Sequence, residues 1–415
     1  MKQILTLVVL CLSLNVMANI KPKPLVQYDL EALQLLKNQL QTKTASAEAQ
    51  KQYRKLLKKA DKILDQDNPT VIDKEIATPT KDKNDYLSIS RYWWPDETKK
   101  KGLPWIRKDG DTNPDTQTDA VDRKRLSKMS GYVETLGLAY FFSKDEKYAK
   151  KGISVVKTWF LNDRTRMNPN LQFAQSVPGN PKSRRSGILD GRDIPVKVLD
   201  GITLMSSSKF WTEESQQILA QWLRDYMVWL AYSPTGKKGA QQVNNHGSWY
   251  NYQVAALAYY NGDIGLVKKI VEKTKTMFDD QLDENGGQTH ELERTRSYFY
   301  SCFNLDAITR VAIIAEKSGI PFWEYKSADN GKGIEKALDF LMPAANGEKW
   351  DYPTKKGLEL TYLAPVLVRV NKRIDNPVYK ATFQKIYDKI ALIPEKSGKQ
   401  KKIFRDFNFV NQGMY

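Results

Sequence analysis

The chain has 415 residues, of which 41% are hydrophobic and 11% aromatic, a composition that excludes a disordered protein. Its formal net charge of +17 concentrates anions near the surface and predicts a polyanionic partner.

Residues 1–18 are predicted to be a signal peptide. Lys2 precedes an apolar run from Ile4 to Leu14, and Ala18 is a small residue suited to cleavage. The run is too short to span a membrane, and the prolines in Lys21–Pro24 would break a helix. Without this peptide only Cys302 remains of the two cysteines, so no internal disulfide can form. A bacterial periplasm is the predicted location, with secretion as the alternative.

The exported setting narrows the choice of partner. Nucleic acid is the usual partner of a strongly basic protein, but an exported chain without a nucleic-acid-binding motif argues against it. No later apolar stretch is long enough to span a bilayer. An acidic polysaccharide or oligosaccharide fits both the charge and the compartment. A basic surface kept for solubility is the alternative, and the oligomeric state stays open.

Residues 19–415 are predicted to form one domain of the all-α class. Apolar residues recur at helical spacing along most of this stretch, and short turns separate the predicted helices. Helices are predicted around residues 126–140, 148–159, 212–229, 254–258, 264–277 and 334–341. Paired helices of this kind either close into an α/α toroid or form an open solenoid. The sequence lacks a fixed period, which disfavours a regular repeat array.

Two long stretches rich in aromatic residues, glycine and proline interrupt the helices. They run from about Tyr86 to Pro114 and from about Met167 to Asp193. Long ordered loops in a compact domain are usually functional. We therefore expect them to lie over a cleft.

Several chemistries are excluded by missing motifs. The sequence contains no phosphate-binding glycine loop, no HExxH, no CxxC and no GxSxG. With two histidines and one cysteine beyond the signal peptide, a zinc site of those ligands is not expected. No cofactor is predicted, and a structural calcium ion held by carboxylates stays open.

The two histidines lie in distinctive surroundings. His246 follows Asn244 and Asn245 directly before an apolar helix, where amide donors and an imidazole would meet a positive helix end. An ordinary helix cap is the alternative. His290 begins a second polar cluster that runs to Tyr300. If residues 290–300 form a helix, Arg294 and Tyr298 share a face with Glu291, whereas Arg296 and Tyr300 share another. The alternative is a solvated charged helix.

These residue types suit chemistry on a uronic acid. Once the carboxylate charge is neutralised, the C5 proton can be removed and the resulting anion stabilised by preorganised donors. A tyrosine with cationic neighbours can act as base or acid. Departure of the oxygen at C4 completes a β-elimination.

Several segments carry a resemblance to a known family. They are Tyr92–Pro95, Gly102–Arg107 with Asp109-Gly110 and Asn113-Pro114, Thr165–Gly179, Asn244–Gly247 and Glu291–Tyr300. In order and spacing the chain resembles the alginate lyase superfamily of polysaccharide lyases. That resemblance implies an α/α toroid, an incomplete barrel of paired antiparallel helices with long aromatic-rich loops over the cleft.

The resemblance also implies a catalytic group. It places Asn245, His246, Arg294 and Tyr300 at the family's catalytic positions. Asn245, His246 and Arg294 would neutralise the uronate carboxylate. Tyr300 would protonate the leaving oxygen, and for one sugar epimer also take the C5 proton, whereas His246 would be the base for the other. Tyr298 competes with Tyr300 for this role.

Other residues are candidates for substrate binding. They are Asn244, Tyr298, Gln175, Arg192, His290, Trp249 and Tyr92. Arg192 would bind a carboxylate or pair with Asp190 or Asp193. Phe299 and Ser301 flank Tyr300 where the best-known family members have histidines, which leaves the sugar open.

Alginate is the predicted substrate, as polymannuronate or polyguluronate, with glucuronan or another uronate polymer as the alternative. Two other classes of protein stay open. One is a non-catalytic periplasmic glycan-binding protein. The other is a hydrolase that uses paired carboxylates, for which Asp190, Asp193, Glu291 and Glu293 are the grouped acids.

Overall fold

A computed structural model describes residues 22–180, 187–328 and 330–391 of the chain. The predicted signal peptide lies outside the described residues. The helices are α1 (Leu30–Gln41), α2 (Ala47–Leu64), α3 (Arg123–Ser143), α4 (Glu146–Val156), α5 (Leu199–Met205), α6 (Glu213–Tyr232), α7 (Pro234–Ala240), α8 (Asn245–Asn261), α9 (Ile264–Gln281), α10 (Thr289–Leu292), α11 (Ser297–Lys317), α12 (Ile334–Asn346), α13 (Ala364–Val370) and α14 (Pro377–Ala391). In the described part of the chain, no helix is both long and apolar enough to cross a membrane.

Short turns fold consecutive helices back as antiparallel pairs. The chain leaves α3 through Lys144, which adopts a left-handed conformation, and Asp145 then caps α4. Gly262 ends α8 with a φ of 84°, a conformation that glycine adopts without steric cost, and Asp263 caps α9. Thr212 caps α6 by accepting from the Ser215 N–H. These pairs confirm the predicted helical hairpins.

The centre of the described fold is formed by helices that are buried on nearly every side. Helix α8 packs against α9 and α11, and α3 packs against α4 and α5. Helices α8 and α11 carry buried residues around their whole circumference. A helix that is buried all round lies inside a protein rather than on its surface. The start of α8 and the start of α11 therefore both lie in the interior.

Four short strands, which the sequence did not predict, connect the two long loops. They are β1 (Leu87–Ile89), β2 (Trp93–Trp94), β3 (Ile106–Arg107) and β4 (Phe173–Ser176). Strand β1 pairs with β4 in parallel, and β2 pairs with β3 as an antiparallel hairpin. The hairpin also touches the second loop, because the Trp105 N–H donates to the Pro178 carbonyl. The two loops thus form one ordered layer.

Residues 290–300, considered above as one helix, do not form a single helix. Helix α10 ends at Leu292, and α11 begins only at Ser297. Between them the backbone pairs with residues 353–355: Lys355 N–H donates to Thr295 O, and Ser297 N–H donates to Pro353 O. These long-range hydrogen bonds replace those of a continuous helix, so the chain changes direction at this point.

A buried carboxylate anchors the segment that precedes α1. Asp200 in α5 is fully buried and accepts hydrogen bonds from the backbone N–H groups of Val26, Gln27 and Tyr28. On the other side, the Lys317 ammonium of α11 donates to Leu25 O and Tyr28 O at 2.8 and 2.7 Å. Residues 25–28 thereby tie α5 to α11.

Asp200→Ala should strongly destabilise the fold. It leaves three buried N–H groups without an acceptor, each costing about 1–3 kcal/mol, so we expect the free energy of unfolding to fall by about 3 kcal/mol or more. Urea unfolding measures the difference. Asp67→Ala, at an exposed position, is the control and should change stability little. Equal stability of the two variants would contradict the anchoring role of Asp200.

Candidate active site

The polar segment at residues 244–246 forms the first turn of α8. Asn244 is the N-cap, and its side-chain oxygen accepts from the His246 N–H at 3.0 Å. Asn245 and His246 are the first two helical residues, and both are buried. The positive end of the helix dipole lies at this turn. Asn244 therefore serves the helix start, and the two following side chains enter the interior.

Asn245 is held by a carboxylate from α10. Glu291 accepts from the Asn245 backbone N–H and from its side-chain Nδ2, both at 2.7 Å. Both residues are only 1% exposed. The Oδ1 atom of Asn245 is buried and has no hydrogen-bond partner among the described residues. Nearly all buried polar atoms have partners, so this acceptor calls for an explanation such as a bound water or a catalytic role.

Arg294 lies in the break between α10 and α11 and is fixed by the first long loop. Its Nη2 and Nε donate to the Asp109 carboxylate at 2.8 and 3.3 Å, and Thr295 Oγ1 donates to the same carboxylate. Burial opposes ionisation of Asp109, but Arg294 and Arg107 outweigh it and hold its pKa well below the usual range. Gly110 (φ 80°) allows the close approach, because a Cβ there would lie 2.7 Å from Thr295 Oγ1.

Tyr300, one turn into α11, lies beside Arg294 and Tyr92. The Arg294 guanidinium lies 3.7 Å from the centre of the Tyr300 ring. The Tyr300 hydroxyl donates to the Tyr92 hydroxyl at 3.0 Å, and Arg296 Nη1 lies 3.4 Å from that same Tyr92 oxygen. Arg296 in turn forms a two-point ion pair with Glu359 at 2.6 and 2.7 Å. The first long loop, through Tyr92, and the helix break, through Arg294, thus meet at Tyr300.

The environment keeps Tyr300 protonated. Burial is the largest effect and raises its pKa, the Tyr92 hydroxyl raises it further, and the charge of Arg294 lowers it by less. Tyr300 is 6% exposed, so water does little to stabilise a tyrosinate. The side chain therefore holds a proton that it can donate.

Tyr298 lies elsewhere. It is 1% exposed, its ring packs edge-on against Trp350, and its hydroxyl donates to the Leu341 carbonyl at 3.4 Å. Burial raises its pKa well above the ordinary value. The structure thus brings Tyr300, but not Tyr298, together with Arg294 and Tyr92.

Arg192 lies over an aromatic platform between α8 and α11. Its guanidinium carbon is 5.7 Å from the Trp249 ring centre and 5.5 Å from that of Phe303. It donates to the Leu189 carbonyl and forms no ion pair with a described carboxylate. Burial lowers the pKa of Arg192 to about 10, so it stays charged at neutral pH. Trp249 is buried beneath it and supports the guanidinium.

The predicted pairing of Arg192 with Asp190 or Asp193 is not formed, because Arg123 occupies those acids. Arg123 lies 2.9 Å from Asp193 and 4.0 Å from Asp190. Asp190 also accepts from Tyr86 and Ser88 and, at 3.3 Å, from Gln175. Gln175 has a φ of 51°, rare for a residue with a side chain, and its N–H is fixed by Ser88.

The grouped acids of the hydrolase alternative are thus separated by their partners. Asp190 and Asp193 belong to the Arg123 cluster, Glu291 is bound to Asn245, and Glu293 is exposed. His290 is also exposed and does not join the group around Tyr300. It lines a cavity of about 670 Å³ together with Val243, Lys273, Thr276, Met277 and Asp280. Among the described residues, no cluster of three or more potential metal ligands occurs.

Sequence reasoning missed part of this group. Glu359 and the contact by which Asp109 fixes Arg294 were not predicted. Arg296 was considered on a helix, whereas it lies just before α11. Asp109-Gly110 offered a signal, since an acid before a glycine in a long loop is suited to a close backbone approach. For Glu359 we find no such signal.

The chain is similar to several known proteins. The family model described as alginate lyase matches residues 70–350. An alginate lyase structure from Bacteroides ovatus shares 32% sequence identity over 92% of this chain and 98% of the other, with a TM-score of 0.83. Alginate lyase A1-III from Sphingomonas species A1 shares 16% identity over 78% and 80% of the two chains, with a TM-score of 0.51.

A complex of an A1-III variant with a tetrasaccharide aligns with a TM-score of 0.53, at 16% identity over 76% of each chain. At this identity the A1-III structures support the fold alone. No curated protein matches the chain in sequence. The helical pairs described above are those of an α/α toroid, as expected from the sequence. The chain belongs to the alginate lyase family and is a polysaccharide lyase.

Proposed function

We propose that this lyase degrades alginate by β-elimination after export to the periplasm. The observation that carries the proposal is the protonated Tyr300 hydroxyl, which is bound to the Tyr92 hydroxyl and belongs to a ring that lies against the Arg294 guanidinium. The Bacteroides ovatus relative, described as an alginate lyase, supports the choice of polymer. Glucuronan stays the alternative, because its sugars carry the same carboxylate beside C5.

The positive groups of the site suit a uronate carboxylate. Arg294 and His246, with the Asn245 carboxamide, supply donors that neutralise the carboxylate and stabilise the anion formed when the C5 proton leaves. Arg294 is half-buried and held by Asp109, so it needs little reorganisation when charge develops. A base accepts the C5 proton, and the C5–H electrons form the C4–C5 double bond.

Tyr300 supplies the second proton. As the bond between C4 and the leaving oxygen breaks, the protonated Tyr300 hydroxyl donates to that oxygen. Tyr92 and Arg294 fix the position of the hydroxyl from two sides. Arg192, with no carboxylate partner, is suited to hold the carboxylate of a neighbouring sugar.

The purified protein without residues 1–18 should release unsaturated uronate products from alginate. We would follow their ultraviolet absorbance on alginate, polymannuronate, polyguluronate and glucuronan. The strongest signal is expected on an alginate block. A signal on glucuronan alone would show that glucuronan, and not alginate, is the substrate. No signal on any of the four polymers would refute the proposed function.

Tyr300→Phe removes the proton donor while keeping the ring that stacks on Arg294. We expect kcat to fall by about 100-fold or more, because general acid catalysis contributes at least that factor. Tyr298→Phe is the matched control, two residues away in the core, and should keep a kcat close to wild type. The opposite pattern would assign the reaction to Tyr298.

Tyr92→Phe tests the hydrogen bond between the Tyr300 and Tyr92 hydroxyls by its effect on the pH dependence of kcat. The Tyr92 hydroxyl raises the pKa of Tyr300 beyond the effect of burial, so its loss should lower that pKa toward the ordinary value of about 10. An acid works only while protonated, so the alkaline limb of kcat should move to lower pH. Tyr232→Phe, at an exposed tyrosine, is the control. An unchanged alkaline limb would contradict the coupling of the two hydroxyls.

A further inference from the structure

Glu291 is a buried acid that the proposed chemistry does not use. It is 1% exposed, and both of its oxygens accept hydrogen bonds from one residue, Asn245. Removing a carboxylate from water is costly, so the hydrogen bonds that a buried acid accepts matter for the structure. The N–H groups that Glu291 binds here belong to a neutral residue of the candidate catalytic group.

This geometry fixes the orientation of the Asn245 carboxamide. The two ends of a carboxamide have nearly the same shape, so hydrogen-bond partners decide which end points where. With Glu291 opposite Nδ2, a flip would place Oδ1 against the carboxylate and create repulsion between two acceptors. The backbone N–H of Asn245 binds the other carboxylate oxygen and so keeps the Glu291 carboxylate aligned with the Asn245 carboxamide.

We propose that Glu291 is a positioning residue that locks the Asn245 carboxamide in one orientation for catalysis. This inference rests on the proposed function of the site. One Nδ2 hydrogen is bound to Glu291, so the second Nδ2 hydrogen remains as a donor for the substrate carboxylate. A flipped carboxamide would present the acceptor Oδ1 in place of this donor.

The location of the charge agrees with a positioning role. A negative charge near a carboxylate-binding site would weaken binding if it faced the substrate, but Glu291 is covered by Asn245 and the start of α8. Arg294, three residues later, is close enough for its charge to interact with that of Glu291. The charge of Arg294 therefore partly offsets that of Glu291, while the hydrogen bonds to Asn245 keep their direction.

Three variants test the proposal. Glu291→Gln keeps the shape but places an N–H opposite one of the two Asn245 donors. Asn245→Asp makes the reverse change. The double variant Glu291→Gln with Asn245→Asp restores a donor opposite an acceptor in the same volume and with the wild-type net charge. Glu293→Gln, an equal change of charge at an exposed position two residues away, is the matched control.

Thermal unfolding and alginate turnover are measured on all five proteins. Both single variants should lower Tm, and the double variant should recover most of the loss. Glu291→Gln should lose about 10–100-fold in kcat, as partners of reacting groups typically do, with a smaller change in KM. The double variant should stay inactive despite its recovered Tm, because an Asp carboxylate would repel the substrate. Glu293→Gln should match wild type in both measurements.

The outcomes separate this inference from the proposed function. Absence of turnover in the wild-type protein would refute the proposed function, while recovery of Tm in the double variant would still establish the Glu291–Asn245 hydrogen bonds. Wild-type kcat in Glu291→Gln would overturn the positioning role. A fall in kcat that merely followed Tm across all variants, with turnover restored in the double variant, would also overturn it.

Discussion

The break between α10 and α11 determines where the charged groups of the site lie. In a continuous helix, Glu291 and Arg294 would share a face with Tyr298, and Tyr300 would point to another side. Pairing of residues 295–297 with residues 353–355 ends that geometry. Glu291 stays on α10 at the start of α8, whereas Arg294 turns onto the Tyr300 ring. A local loss of helical hydrogen bonds thus brings together groups that a regular helix would separate.

Charge compensation distinguishes the arginines around the cleft. Arg294, Arg296 and Arg123 each have a carboxylate partner, which fixes the guanidinium and offsets the cost of burying it. Arg192 instead rests on Trp249 and Phe303. Cation–π contacts compensate burial less completely than an ion pair does. Under the proposed function, a polymer with one carboxylate per sugar would supply the missing partner.

The sequence predicted the helices, and which residues lie at the site, better than it predicted the contacts between those residues. Helical spacing located the α3–α4 and α8–α9 pairs because local apolar patterning decides them. The candidate residues Arg294, Tyr300 and Tyr92 do lie together. The extended stretch before Ser297 could not be predicted, since its hydrogen-bond partners are more than fifty residues away. For the same reason the contacts of Asp109 with Arg294 and of Glu359 with Arg296 have no local signature.

The protonation state of Tyr300 bears on which group begins the proposed reaction. Burial outweighs the charge of Arg294, so the resting hydroxyl keeps the proton that a leaving oxygen needs. The same hydroxyl cannot accept the C5 proton until something removes its own. A different group must then accept the C5 proton, and His246, next to Asn245 at the start of α8, is the candidate. This division between two residues suits a sugar whose C5 proton and leaving oxygen lie on opposite faces. A sugar with both on one face would instead require the substrate to shift the pKa of Tyr300 first.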